Sequence, residues 1–191
     1  TLFALAERHD TTVGAILAAN GLGDGAIIYP GQKLAVAGTA SGSTPAPAAS
    51  SSAPTADLDA EQAENAALII RIGRDLGVSD RGIAIALATG MVESWLRNLE
   101  WGDRDSVGLF QQRSSTGWGT REQIMDPERS TRAFFGGQHD PNGTTTRGLL
   151  DVDGWEDMGF SEAAQAVQIS AHPGRYGKWE SAAYRWLELY G

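Results

Sequence analysis

From Ser41 to Thr55 the chain is built only of Ser, Ala, Pro, Thr and Gly. Such a stretch has too little apolar surface to offset its ordering entropy, so it joins no packed core. It is expected to be a flexible, partly extended linker. The chain must therefore fold as two units, read as a small module over residues 1–38, a linker over 39–57 and a larger domain over 58–191. A module of about forty residues is marginal for an independent core, whereas the larger piece has room for a real one.

Composition narrows the functions these units can serve. Hydrophobic residues make up 41% and charged residues 20% of the 191, the range of a globular protein. The net charge is −9, and Lys33 and Lys178 are the only lysines. No basic stripe exists to neutralise phosphates, so nucleic acid is not an expected partner. No run approaches the ~18 apolar residues that cross a bilayer, and no membrane span is expected. Cysteine is absent, which excludes thiolate nucleophiles, Cys-ligated zinc and iron–sulfur clusters. His9, His139 and His172 lie far apart with no i, i+4 pairing, so neither a metal nor another cofactor is expected; they read as solvated or hydrogen-bonded histidines. The chain opens in mid-pattern at Thr1-Leu2-Phe3, as expected of a piece whose missing signal peptide says nothing about localisation.

In the first unit, Leu2, Leu5 and Ala6 give helical spacing up to His9-Asp10. Thr12 then caps a second short helix through Val13, Ile16 and Leu17, closing at Asn20-Gly21. A turn at Pro30-Gly31 precedes a short strand over 33–36. With Thr1-Leu2 at the start, Asn20-Gly21-Leu22 in the middle and Tyr29-Pro30-Gly31-Gln32-Lys33-Leu34 at the end, residues 1–37 resemble a LysM module. The resemblance implies a βααβ unit that binds N-acetylglucosamine polymers such as peptidoglycan or chitin. It places sugar contacts at Thr1, Leu2, Asn20, Gly21, Leu22, Ile28 and Pro30. The first strand of the family pattern is missing here, so the module is expected to be frayed or to borrow a strand.

The second unit reads as mainly α, of α+β type. Asp59 with Gln62 has the form of a capping box, opening a stripe of Ala66, Ile69, Ile70, Gly73 and Leu76 that Gly77 closes. Ser79 caps a second helix, apolar on every side from Gly82 to Val92 and therefore expected to be buried. Gly102 to Gly119 has no helical period and is expected to hold loops and a short hairpin. Helices are then expected from Thr120 to Gln123, from Pro127 to Gly136-Gly137, and from Ser161 through Val167, with a loop over 138–154. The last helix carries Trp179, Ala182, Ala183, Trp186, Leu187 and Tyr190, an aromatic stripe read as core rather than as a ligand platform.

Glu93 ends the apolar helix, between Met91-Val92 and Ser94-Trp95-Leu96. A carboxylate in such surroundings loses hydration in its charged form, so its pKa should rise and leave it able to donate a proton near neutral pH. The small residues Ala86, Thr89 and Gly90, one and two turns back, are expected to leave a groove for a sugar ring. The competing reading is a structural Glu paired with Arg97 at i+4.

Residues 91–112 decide between them. Glu93-Ser94 is followed by Ser106 and then by Gly108-Leu109-Phe110-Gln111, a run that resembles the lytic transglycosylases and the related goose-type lysozymes. The resemblance implies a lysozyme-like helical domain with Glu93 as catalytic acid and Ser106 and Gln111 lining the sugar cleft. Gly108 would let backbone approach the sugar closely. A weaker match, Ile169-Ser170-Ala171-His172-Pro173-Gly174, is similar to a late family segment reading Tyr-Asn-Ala-Gly-Pro-Gly. Ser170 stands for its Asn and Ile169 for its Tyr, and Gln168 or Tyr176 would take over the hydrogen bonds.

Inverting hydrolysis needs a second carboxylate ~6.5–9.5 Å away to activate water, and Asp103 and Asp105 are the candidates. Both also read as solvated turn residues. The resembling transglycosylases use none: the muramic acid C6 hydroxyl attacks and leaves a 1,6-anhydro end, and this outcome is favoured slightly over hydrolysis. A chitinase on the same scaffold and a non-catalytic wall-binding protein remain open. A Ser–His–Asp hydrolase has no Gly-x-Ser-x-Gly elbow to support it. The expectation is a secreted, cell-wall-associated monomer acting on peptidoglycan.

Overall fold

A computed structural model of the chain describes residues 57–169 and 173–191. The chain divides into two units, residues 1–50 and 51–191, and all described residues belong to the second. The expectations for Thr1, Leu2, Asn20, Gly21, Leu22, Ile28 and Pro30, for the missing strand, for the linker from Ser41 to Thr55 and for Ser170 lie outside the described residues.

Asp59 accepts from the Gln62 amide at 3.1 Å, and the Gln62 side chain accepts from the Asp59 amide at 3.0 Å. This reciprocal cap satisfies two otherwise orphaned donors and starts α1, Ala60–Asp75. Gly77, at φ +70°, turns the chain out of it. Ser79 caps α2, Asp80–Ser94, which is buried without a break from Gly82 to Met91. An all-apolar helix has no face to give to water, and α2 accordingly packs against helices on several sides. Gly73 makes the crossing with α1 possible: a Cβ there would lie 2.6 Å from Ile83 Cγ1.

The stretch from Gly102 to Gly119 folds as expected into loops and one minimal antiparallel hairpin. It joins β1, Ser106–Val107, to β2, Gln112–Arg113, with Ser106 opposite Arg113 and Val107 opposite Gln112. Thr120 and Gln123 cap α3, Arg121–Ile124. Asp126 accepts from the amides of Glu128 and Arg129 and, with Pro127 in the first turn, starts α4, Pro127–Phe135. The segment expected as loop over 138–154 contains a turn of 3₁₀ helix at Leu149–Asp151 and most of another at Gly137–His139. Asp151 ties them together by accepting from the amides of Gly137 (3.0 Å) and Gly148 (2.9 Å).

Helix α5, Phe160–Gln168, begins one residue before the expected Ser161. The Glu162 carboxylate reaches back to the Gly159 amide at 3.0 Å and draws Phe160 into the first turn. A 3₁₀ segment, Pro173–Trp179, leads into α6, Glu180–Tyr190. Helix α2 packs on α6, α1 and α5. The aromatic stripe of α6 is core as expected: Trp186 is fully buried with its ring 5.8 Å from that of Trp179. Among the described residues helix dominates and the hairpin is the one sheet, a mainly α architecture. No described helix is long and apolar enough to cross a membrane.

Candidate functional site

Helix α2 ends where Trp95 and Leu96 adopt left-handed backbone at φ 59° and 55°. Leu96 donates back to Gly90 and the chain turns away, leaving the last helical turn at the edge of the core. The buried Ser94 fixes that end. Its hydroxyl lies 2.7 Å from the Leu109 carbonyl and 3.0 Å from that of Gly90, and it accepts from the Arg97 amide at 3.2 Å. The hairpin turn is thereby hung on the helix end, which is what the Glu-Ser pairing accomplishes locally.

Glu93, one residue earlier, is half-buried in the wall of a cleft of about 1020 Å³. Val92, Ser106, Gln111, Gln112, Trp118, Gln168 and Ile169 share that wall. The hairpin thus flanks the cleft, as expected of the β region. Tyr176 donates its hydroxyl to Glu93 Oε1 at 2.7 Å. Among the described residues Oε2 accepts no hydrogen bond, nor is it one of the buried, unpartnered atoms. Burial pushes the Glu93 carboxyl above its ordinary range. The Tyr176 hydrogen bond, and then the charges of Arg175 and Arg113, pull against that rise without cancelling it. Arg97 is not its partner, because that guanidinium pairs with Asp59 and Glu61.

Several expectations need correction. The groove does not lie over Ala86, Thr89 and Gly90. Ala86 and Thr89 are fully buried, and a Cβ on Gly90 would meet Leu96 at 3.0 Å. Small residues on that face serve close packing, and the cleft opens beside Val92 instead. Gly108, at φ +80°, does let backbone come close, but to protein: its Cβ would lie 2.8 Å from the Ile124 carbonyl, and it does not line the cleft. Tyr176 is fully buried, and its hydroxyl is placed on the acid. Asp105 stands outside the cleft wall and uses both oxygens on Ser115, whose amide and hydroxyl hold its carboxyl below the usual range. Asp103 does line the cleft but is paired with Arg113 at 2.8 Å.

Ser106, Gln111 and Gln168 do line the cleft, and each is held from behind. Ser106 accepts from Arg113 Nε at 2.9 Å, Gln111 donates to the Gly108 carbonyl at 3.3 Å, and Gln168 donates to the Phe110 carbonyl at 3.3 Å. Three residues of the wall, Arg104, Gln111 and Ile169, hold left-handed backbone at φ 57°, 48° and 50°. For β-branched Ile169, which is 83% exposed, that conformation is costly. Such strain gathers at functional sites.

Sequence reading missed the cationic lining: Arg104, Arg113, Arg147 and Arg175. Arg104 and Arg113 come from the hairpin stretch, Arg147 from the loop before Leu149 and Arg175 from the 3₁₀ segment after Pro173, and no spacing in the chain links these three segments. Among the described residues no group of three His, Cys, Asp or Glu side chains is placed to hold a metal ion.

No curated protein matches the chain. Residues 1–37 match the LysM domain family, whose members bind N-acetylglucosamine-containing polymers such as peptidoglycan or chitin.

Proposed function

We propose that residues 58–191 cleave the glycan strand of peptidoglycan with Glu93 as the general acid, and that the LysM segment holds the protein to that polymer. The observation that carries this reading is one carboxyl whose pKa is raised by burial, fixed through Oε1 by Tyr176, on a residue that lines a large cleft. With Oε1 accepting from Tyr176, Oε2 is left to carry the acid's proton.

The anhydro-forming route fits this arrangement better than hydrolysis. Glu93 gives its proton to the leaving glycosidic oxygen as the bond from the muramic C1 breaks. The muramic C6 hydroxyl attacks C1, and its proton returns to the Glu93 carboxylate, so the cycle closes with one carboxyl and no water. Asp105 spends both oxygens on Ser115 outside the cleft wall, and Asp103 is tied through one oxygen to Arg113. The LysM segment raises the local concentration of the acid on the wall through the linker. The protein acts outside the cell, in or on the wall.

Mass spectrometry of digested peptidoglycan tests the reading: fragments lacking one water support it, and full-mass reducing ends mean a hydrolase. Zymography beside Glu93→Gln separates either enzyme from a non-catalytic wall binder, because clearing must vanish in the variant.

A further inference from the structure

The charge of the cleft is opposite to that of the chain. Among the described residues four arginines line it, against two carboxylates, Glu93 and Asp103, in a chain whose net charge is −9. Asp103 is neutralised by Arg113. Among the described residues Arg104, Arg147 and Arg175 pair with no carboxylate within 4.0 Å; Arg147 has a long contact of 3.4 Å to the Ala166 carbonyl. The three approach from the turn before β1, from the loop before Leu149 and from the 3₁₀ segment after Pro173. An acidic protein that gathers unpaired guanidinium groups in one hollow focuses a positive field there. Guanidinium groups match carboxylates in geometry and bind them by two parallel hydrogen bonds.

A neutral glycan such as chitin gives these groups nothing to pair with. Peptidoglycan does: the peptides carried by its muramic residues bear free carboxylates beside the sugar chain. We propose that Arg104, Arg147 and Arg175 read those stem-peptide carboxylates, so that the cleft takes strands whose peptides carry free carboxylates in preference to strands whose carboxylates are capped as amides, or to chitin. This rests on the glycan-cleaving reading above.

Arg104 and Arg147 give the clean test, because neither acts on Glu93, whereas Arg175 does. The full-length protein is given intact peptidoglycan, the same material with its stem-peptide carboxylates converted to neutral amides, and chitin oligomers. The readout is the ratio of kcat/KM on native to amidated strands. That ratio is expected to be about tenfold in low salt, the scale of one or two charge-assisted hydrogen bonds. It should shrink as salt rises and fall toward one in R104A/R147A. R104K/R147K, which keeps the charge, should keep most of it. Equal rates on both strands, or a ratio that survives R104A/R147A, overturn the inference while leaving cleavage intact. If no strand is cut, the cleavage reading falls, and sedimentation binding of E93Q decides the inference. Tighter binding to native than to amidated material, lost in E93Q/R104A/R147A, supports it, and equal binding sinks it.

Discussion

Tyr176 and Glu93 stand 83 residues apart in the chain, yet the tyrosine hydroxyl reaches Glu93 Oε1 at 2.7 Å. The contact orders the acid in two ways. It holds one oxygen from behind, and it opposes the rise in pKa that burial imposes. The phenol itself is fully buried, and the role given to it here passes through Glu93.

Tyr176→Phe keeps the ring in the core and removes only the hydroxyl. With that restraint gone, the Glu93 pKa rises further, and the alkaline limb of the pH–rate profile moves to higher pH. Turnover is expected to drop about ten- to a hundredfold as Oε2 loses its fixed direction. A pH profile of peptidoglycan release checks both effects, and an unmoved alkaline limb would contradict the role given to Tyr176.

Glu93→Gln abolishes turnover yet should stabilise the fold at neutral pH. The folded pKa of Glu93 lies above its unfolded value, so the folded state holds the proton more tightly. Stability is full below the ordinary Glu range and falls as pH rises through the folded pKa. Glutamine has no such loss. Thermal melts should therefore place E93Q above the native protein at pH 7, with the two converging near pH 4.

Asp103→Asn and Asp105→Asn distinguish the two glycan chemistries. If one of them activated water, its loss would cost about a hundred- to ten-thousandfold in rate. Their ion pair with Arg113 and hydrogen bonds to Ser115 point instead to turn-shaping roles. Each variant is expected to lose less than about tenfold in release rate, with anhydro products unchanged in mass.

Gly73→Ala tests the scaffold beneath the acid. The added methyl would come within 2.6 Å of Ile83 and 3.1 Å of the Phe135 ring, both fully buried. Overpacking of this kind costs about 1–3 kcal/mol, to be read from urea unfolding. Because Ile83 and Glu93 share α2, activity should fall with it.

Local signals carried much of this protein's architecture. Capping side chains, proline and glycine act over three or four residues, so Asp59, Ser79, Thr120, Asp126 and Gly136 marked helix ends by chemistry visible in the chain. The all-apolar stretch before Glu93 implied a buried helix ending in a desolvated acid for the same reason. Which side of that helix would be open could not be read so, because Ala86, Thr89 and Gly90 look alike whether they line a groove or admit a neighbouring helix. Packing against α1, α5 and α6 closed that side and left the acid facing the hairpin. The partnership with Tyr176 and the gathering of four arginines depend on contacts between distant segments, and only the folded chain brings those together.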